Sequence, residues 1–124
     1  MSTKKAIAYY RTACASLEAI NEQKIKARAF AEIADMEITN EFIDNGFAAS
    51  ELGRPAWQEI FNSCLLQPQS EVKYLLMRDM SRIDRFDPGH PYKIMLDELC
   101  KKNNWQMVFF GTSKVDYVHL GATK

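Results

Sequence analysis

Four arginines stand where apolar runs of this chain give way to polar loops. Arg11 follows Ala6-Ile7-Ala8-Tyr9-Tyr10, Arg54 lies in the segment that begins with Asp44, and Arg82 and Arg85 follow the run from Val72 to Met77. If those runs are parallel strands, all three loops open on one edge of the sheet, where ligands of open α/β sheets gather. A guanidinium is always charged and its planar fork donates paired hydrogen bonds to phosphate oxygens. In phosphoryl transfer the same group stabilises charge that develops in the transition state. The bland alternatives are helix capping and pairing with carboxylates, and Asp79 and Asp84 are close enough in sequence to pair with Arg82 and Arg85.

The elements that must carry these residues alternate. Lys5 to Tyr10 reads as a first strand, apolar enough for burial on both faces. Ser16 is the expected N-cap of a helix from Leu17 to about Ala34, with Leu17, Ile20, Ile25, Ala29, Phe30 and Ile33 as its apolar residues. The uneven step from Ile20 to Ile25 predicts a break near Asn21, with the main helix starting around Glu22. Glu37 to Ile43 is the second strand, and Asp44-Asn45-Gly46 is a turn signal. Pro55 suits the first turn of a second helix, whose buried stripe is Trp57, Ile60, Phe61, Cys64 and Leu65 and which Pro68 ends. Val72 to Met77 is the third strand. A third helix runs from about Pro91 to Lys102 with Ile94, Met95 and Leu99 inward, and Trp105 to Phe110 is the fourth strand. A short fifth strand is expected around Tyr117 to Leu120. The fold class is therefore α/β, three-layer, with a mainly parallel sheet of four to five strands flanked by helices.

Composition bounds the rest. The chain has 124 residues, 47% hydrophobic and 26% charged, and Lys plus Arg equals Asp plus Glu at 16 each. That length suits a single domain, taken as residues 1–124. With no net charge, any anion site must be a local cluster. Cys14, Cys64 and Cys100 have neither metal-ligand nor disulfide-framework spacing, so three free thiols in a cytoplasmic setting are expected. His90 and His119 have no partner at ligand spacing, so neither a metal nor a cofactor is expected. No apolar stretch is long enough for a membrane span. Trp57, Trp105 and the cysteines are read as core.

In this order and approximate spacing, Tyr9-Tyr10-Arg11, Gln23 with Ala27-Arg28-Ala29-Phe30-Ala31, Asp44-Asn45-Gly46, Arg54-Pro55 and Ser81-Arg82-Ile83-Asp84-Arg85 resemble the catalytic domain of the serine recombinases, the resolvase/invertase group. The resemblance spans about residues 4 to 110. It implies a resolvase-like fold and site-specific DNA strand exchange, in which a serine at the end of the first strand forms a phosphoserine link to DNA. It further implies that Arg11, Arg54, Arg82 and Arg85 surround the scissile phosphate, with Gln23 and Asp44 as supporting polar residues. DNA and a homo-oligomer, a dimer, are the implied partners.

The departures are chemical. The family's Arg-x-Ser reads Arg11-Thr12-Ala13 here, so the nucleophile position holds Ala13, which has no hydroxyl to attack phosphorus. Thr12, Cys14 and Ser16 are close in sequence, yet in-line attack rarely survives such a shift in position. The second loop has Phe47-Ala48-Ala49-Ser50 in place of the usual Ser-Gly pair, and Ser81 stands where an aspartate often precedes the paired arginines. Residues 111–124 are too few for the family's long helix and DNA-binding domain, so neither is expected within this chain. Three functions stay open: an inactive catalytic domain that keeps its phosphate site, an enzyme with a substitute nucleophile, and a protein-interaction module that regulates a full-length recombinase.

Overall fold

A computed structural model describes residues 4–47, 54–78 and 91–111. Within them the order is β1 (Lys4–Thr12), α1 (Leu17–Ile33), β2 (Met36–Asn45), α2 (Pro55–Ile60), β3 (Lys73–Met77), α3 (Pro91–Asn103) and β4 (Trp105–Phe109). α2 runs on into one π-helical turn, Phe61–Leu65. The expected fifth strand lies outside the described residues.

All pairings among the described strands are parallel, and the strand order is β2-β1-β3-β4. β1 is central, which explains why Ala6 to Thr12 are all buried. Its residues alternate between two cores, as the period of two along a strand requires. Ile7 and Tyr9 join Trp57, Ile60, Leu75, Leu96 and Cys100 beneath α2 and α3. Ala6, Ala8 and Tyr10 join Ile20, Ala27, Phe30, Leu76 and Val108 beneath α1. Helices thus cover both faces, giving three layers. The chain steps from β1 to β2 through α1 on one face, then crosses back over β1 to β3 through α2 on the other. The direction of winding reverses between β1 and β3, and in such sheets the crevice at the carboxyl end of that pair is the usual ligand site.

Several sequence expectations change here. β1 does not stop at Tyr10, because parallel pairing continues through Arg11 opposite Asp44 and Thr12 opposite Asn45. Arg11 is therefore the end of a buried strand and not a loop residue. α1 begins at its expected cap, where the Ser16 hydroxyl accepts from the Ala19 amide, but it has no break near Asn21. Its core face is Ile20, Gln23, Ala27, Phe30 and Ala31, a continuous helical stripe. Ile25 lies on the opposite side and is 66% exposed, and Leu17 and Ile33 are exposed as well. α3 is rotated similarly: Leu96, Cys100 and Asn103 are buried, whereas Ile94 and Met95 face solvent.

Side chains from the end of α3 and the start of β4 bond to the π turn. Asn103 Nδ2 donates to the Leu65 carbonyl at 2.8 Å and Trp105 Nε1 to the Cys64 carbonyl at 3.1 Å. These bonds satisfy carbonyls at the helix end, where regular hydrogen bonding runs out. Trp57 and Trp105 are core residues as expected, at 1% and 5% exposure. The cysteines divide: Cys100 is buried, and burial pushes its thiol up to about 12, whereas Cys14 is exposed. No helix among the described residues is long and apolar enough to cross a membrane.

Candidate functional site

The carboxyl end of β1 is built by side chains that reach it from three other elements. Among the described residues, the β1–β3 ladder runs as far as Tyr9 opposite Met77. The amide and carbonyl of Arg11, near the end of a buried strand, need hydrogen-bond partners. Gln23 bonds to both. Its Oε1 accepts from the Arg11 amide at 3.3 Å and its Nε2 donates to the Arg11 carbonyl at 3.0 Å. One carboxamide offers both a donor and an acceptor. Gln23 thus acts by locking α1 onto the end of β1.

Asp44 plays the corresponding part on the other face. Its Oδ1 accepts from the Ala56 amide at 2.9 Å, and its Oδ2 accepts from the Trp57 amide at 3.0 Å and the Tyr9 hydroxyl at 2.7 Å. α2 has no capping bond from its own N-cap side chain, Arg54. Asp44 supplies the cap from β2, placing a carboxylate against the positive end of the helix. The fully buried Arg54 guanidinium carbon lies 5.9 Å from the ring centres of both Tyr9 and Trp57, whose own centres are 5.5 Å apart. A cation against two aromatic faces is favourable, more so when desolvated. Burial and the bond to Asp44 hold the Tyr9 hydroxyl well above its ordinary pKa, against the opposing pull of Arg54.

Arg11 is 2% exposed, and its Nη1 donates to the Phe47 carbonyl at 2.7 Å. The residues after it are shaped by Asn45, whose Oδ1 accepts from the Thr12 hydroxyl at 2.9 Å and the Ser16 amide at 2.8 Å. The Thr12 carbonyl also accepts from the amides of Gly46 and Phe47. Gly46 has φ +96°, which a side chain rarely adopts, and a Cβ there would sit 3.4 Å from the Ala15 Cβ. The Asp44-Asn45-Gly46 turn signal therefore marks residues that brace the β1–α1 loop.

That bracing leaves Ala13, Cys14 and Ala15 exposed. Ala13 is on the wall of a cleft of about 260 Å³ at the β1–β3 reversal point, with Thr12 and Gln23 beside it. Its rim carries three charged residues that sequence reasoning did not single out: Glu22 and Lys26 from α1, and Arg78 from the end of β3. Helical spacing of four puts Glu22 and Lys26 on one face, and Arg78 directly follows a strand, so both signals were present. Gly111 lies so close to Arg78 that a Cβ would fall 2.2 Å from the Arg78 carbonyl oxygen.

Of the substitute hydroxyls, Thr12 is engaged with Asn45 and Ser16 caps α1. The structure thus brings Arg11, Ala13, Gln23, Asp44 and Arg54 to one end of the sheet, while Arg82 and Arg85 lie outside the described residues. His90 and His119 also lie outside them. Among the described residues, no group of three or more His, Cys, Asp or Glu side chains is placed to hold a metal ion.

Comparison with protein families matches residues 6–117 to the family described as "Resolvase, N terminal domain". Comparison with curated protein sequences gives no significant match. Among solved structures, the N-terminal catalytic domain of TP901-1 integrase is similar at TM-score 0.63 and 22% identity, over 86% of this chain and 78% of that one. The C-terminal catalytic domain of ISC1926 TnpA, an IS607-like serine recombinase, is similar at TM-score 0.70 and 14% identity, over 90% and 71%. A serine recombinase from Sulfolobus solfataricus is similar at TM-score 0.55 and 18% identity, over 89% and 72%.

Proposed function

Because this chain belongs to the resolvase N-terminal domain family, we propose that it is a recombinase-type domain that binds DNA phosphates and has lost the nucleophile of strand exchange. The observation that carries the reading is Ala13. It stands exposed on the cleft wall at the carboxyl end of β1, two residues after a buried arginine, in a loop held by Asn45. In this reading the site keeps its scaffold, and a methyl group stands where covalent chemistry needs a hydroxyl. In this reading Arg11, Arg54, Arg82 and Arg85 supply positive charge to a phosphodiester, and Gln23 and Asp44 position Arg11 and Arg54 through the backbone and α2. The domain works on DNA in the cytoplasm, pairs with a second copy, and takes neither metal nor cofactor.

The test is fluorescence anisotropy of labelled duplex DNA across a salt series, with the unmodified chain beside Arg82→Ala. Binding that weakens steeply with salt and falls with the substitution is expected. Ala13→Ser then adds a covalent DNA adduct on a denaturing gel that the unmodified chain does not form. Failure of the unmodified chain to bind at low salt would refute the reading. The apolar side chains that α1 exposes, Leu17, Ile25 and Ile33, favour a second reading, an interaction module that docks on a partner protein. Hetero-oligomer formation without DNA would single it out.

A further inference from the structure

We propose that Lys26 and Arg78 are two further phosphate contacts, which hold a DNA backbone across the cleft from the α1 side, and that Glu22 limits how tightly they do so. The inference rests on the DNA-binding reading above but concerns residues to which the resemblance gave no role. Three observations carry it. The cleft lies at the β1–β3 reversal point, where this class of sheet places its ligands. Its rim brings together two cations from different elements, α1 and the end of β3, around exposed Ala13. Arg11 also lines the cleft but is only 2% exposed, and Arg54 is 0% exposed, whereas Lys26 and Arg78 are exposed on its lining.

Glu22 gives the arrangement a sign that can be tested. It is exposed, one helical turn before Lys26, and lines the same cleft. A carboxylate there repels a phosphate that approaches the two cations. Lys24 supplies the contrast: it is on the same helix, but its charge acts on Glu41 in β2, away from the cleft. A specific cleft and a diffusely basic surface therefore predict different results for neighbouring lysines.

The experiment measures binding of a labelled duplex to the whole chain between low and moderate salt, with Lys26→Ala, Arg78→Ala, Glu22→Gln, Lys24→Ala and Arg82→Ala. All but the last are substitutions of surface side chains described here, and circular dichroism checks that each variant is folded. Removal of Lys26 or Arg78 is expected to reduce the log–log salt slope by about 0.9 each. Glu22→Gln is expected to raise affinity roughly twofold to fivefold, and Lys24→Ala to change neither quantity. If the Lys26 and Arg78 variants keep the full slope while Arg82→Ala weakens binding, the DNA-binding reading stands and this inference is wrong. If Lys24→Ala lowers the slope as much as Lys26→Ala, the attraction is diffuse and the cleft assignment fails. No binding by the unmodified chain would end both.

Discussion

Removal of the Asp44 carboxylate tests how the site is held together. Asp44→Ala leaves three donors without their acceptor: the Ala56 and Trp57 amides at the start of α2, and the Tyr9 hydroxyl in the core. Loss of a capping acceptor costs about 1 kcal/mol in ordinary cases. A buried hydroxyl bonded to a carboxylate adds about 1.5–3 kcal/mol. With two amides affected, a total on the order of 3–5 kcal/mol is expected, a large part of the stability of a domain this size. Urea unfolding followed by tryptophan fluorescence measures it directly, since Trp57 sits on the affected helix. The structural reasoning is sharpened by a double-mutant cycle. Tyr9→Phe alone should cost roughly 1–2 kcal/mol, yet almost nothing in the Asp44→Ala background, because the hydroxyl it deletes is already orphaned there. Additive losses would show that Tyr9 and Asp44 do not share this bond, and a total below about 1 kcal/mol would show that α2 does not depend on the cap.

Gln23→Leu keeps side-chain bulk but removes both bonds to the Arg11 backbone; a loss of about 2 kcal/mol is expected in chemical unfolding, with the Arg11 amide exchanging faster in hydrogen-exchange NMR. Unchanged protection of that amide would contradict the bracket described here. Acid sensitivity should come in part from Glu41, whose carboxyl is held below its ordinary range first by the hydrogen bond from Arg28, with the bond from the Tyr10 hydroxyl adding to it against partial desolvation. A folded pKa below the unfolded value contributes stability above about 4.5 that is lost as pH falls through the folded value. Arg28→Ala should therefore lower stability at neutral pH and flatten its decline in acid, and parallel stability–pH curves for the two proteins would refute this.

Much of the architecture was legible because its signals are local. Apolar runs of four to six residues, Ser16 before a helical pattern, Pro55 at a helix start and the Asp44-Asn45-Gly46 turn each act over a few positions, where backbone sterics and capping decide the outcome. The alternation they produce implied a parallel sheet, and the four described strands form one. The ordered motifs from Tyr9 to Arg85 pointed to the family, to whose model residues 6–117 match. Less legible were the faces of helices with scattered apolar residues. Ile94 and Met95 were expected inward and Ile25 was read as out of step, but packing chose the stripes led by Ile20 and Leu96, since only a contiguous surface fits a sheet.

Tertiary structure alone decided what the polar residues of the site do. Gln23 meets Arg11 and Asp44 meets Trp57 across 12 and 13 positions of chain, and Asp44 meets Tyr9 across 35. Those partners depend on how α1 packs against the end of β1 and where α2 begins beside β2, neither of which is written in the residues themselves. The same holds for Arg11 and Arg54, whose burial follows from the extension of β1 and from the Tyr9–Trp57 pair. Residue identity determined which chemistry was available, above all that Ala13 cannot attack a phosphate. Register and crossover determined which groups meet at the site, because hydrogen bonds and desolvation act through space and carry no mark along the chain.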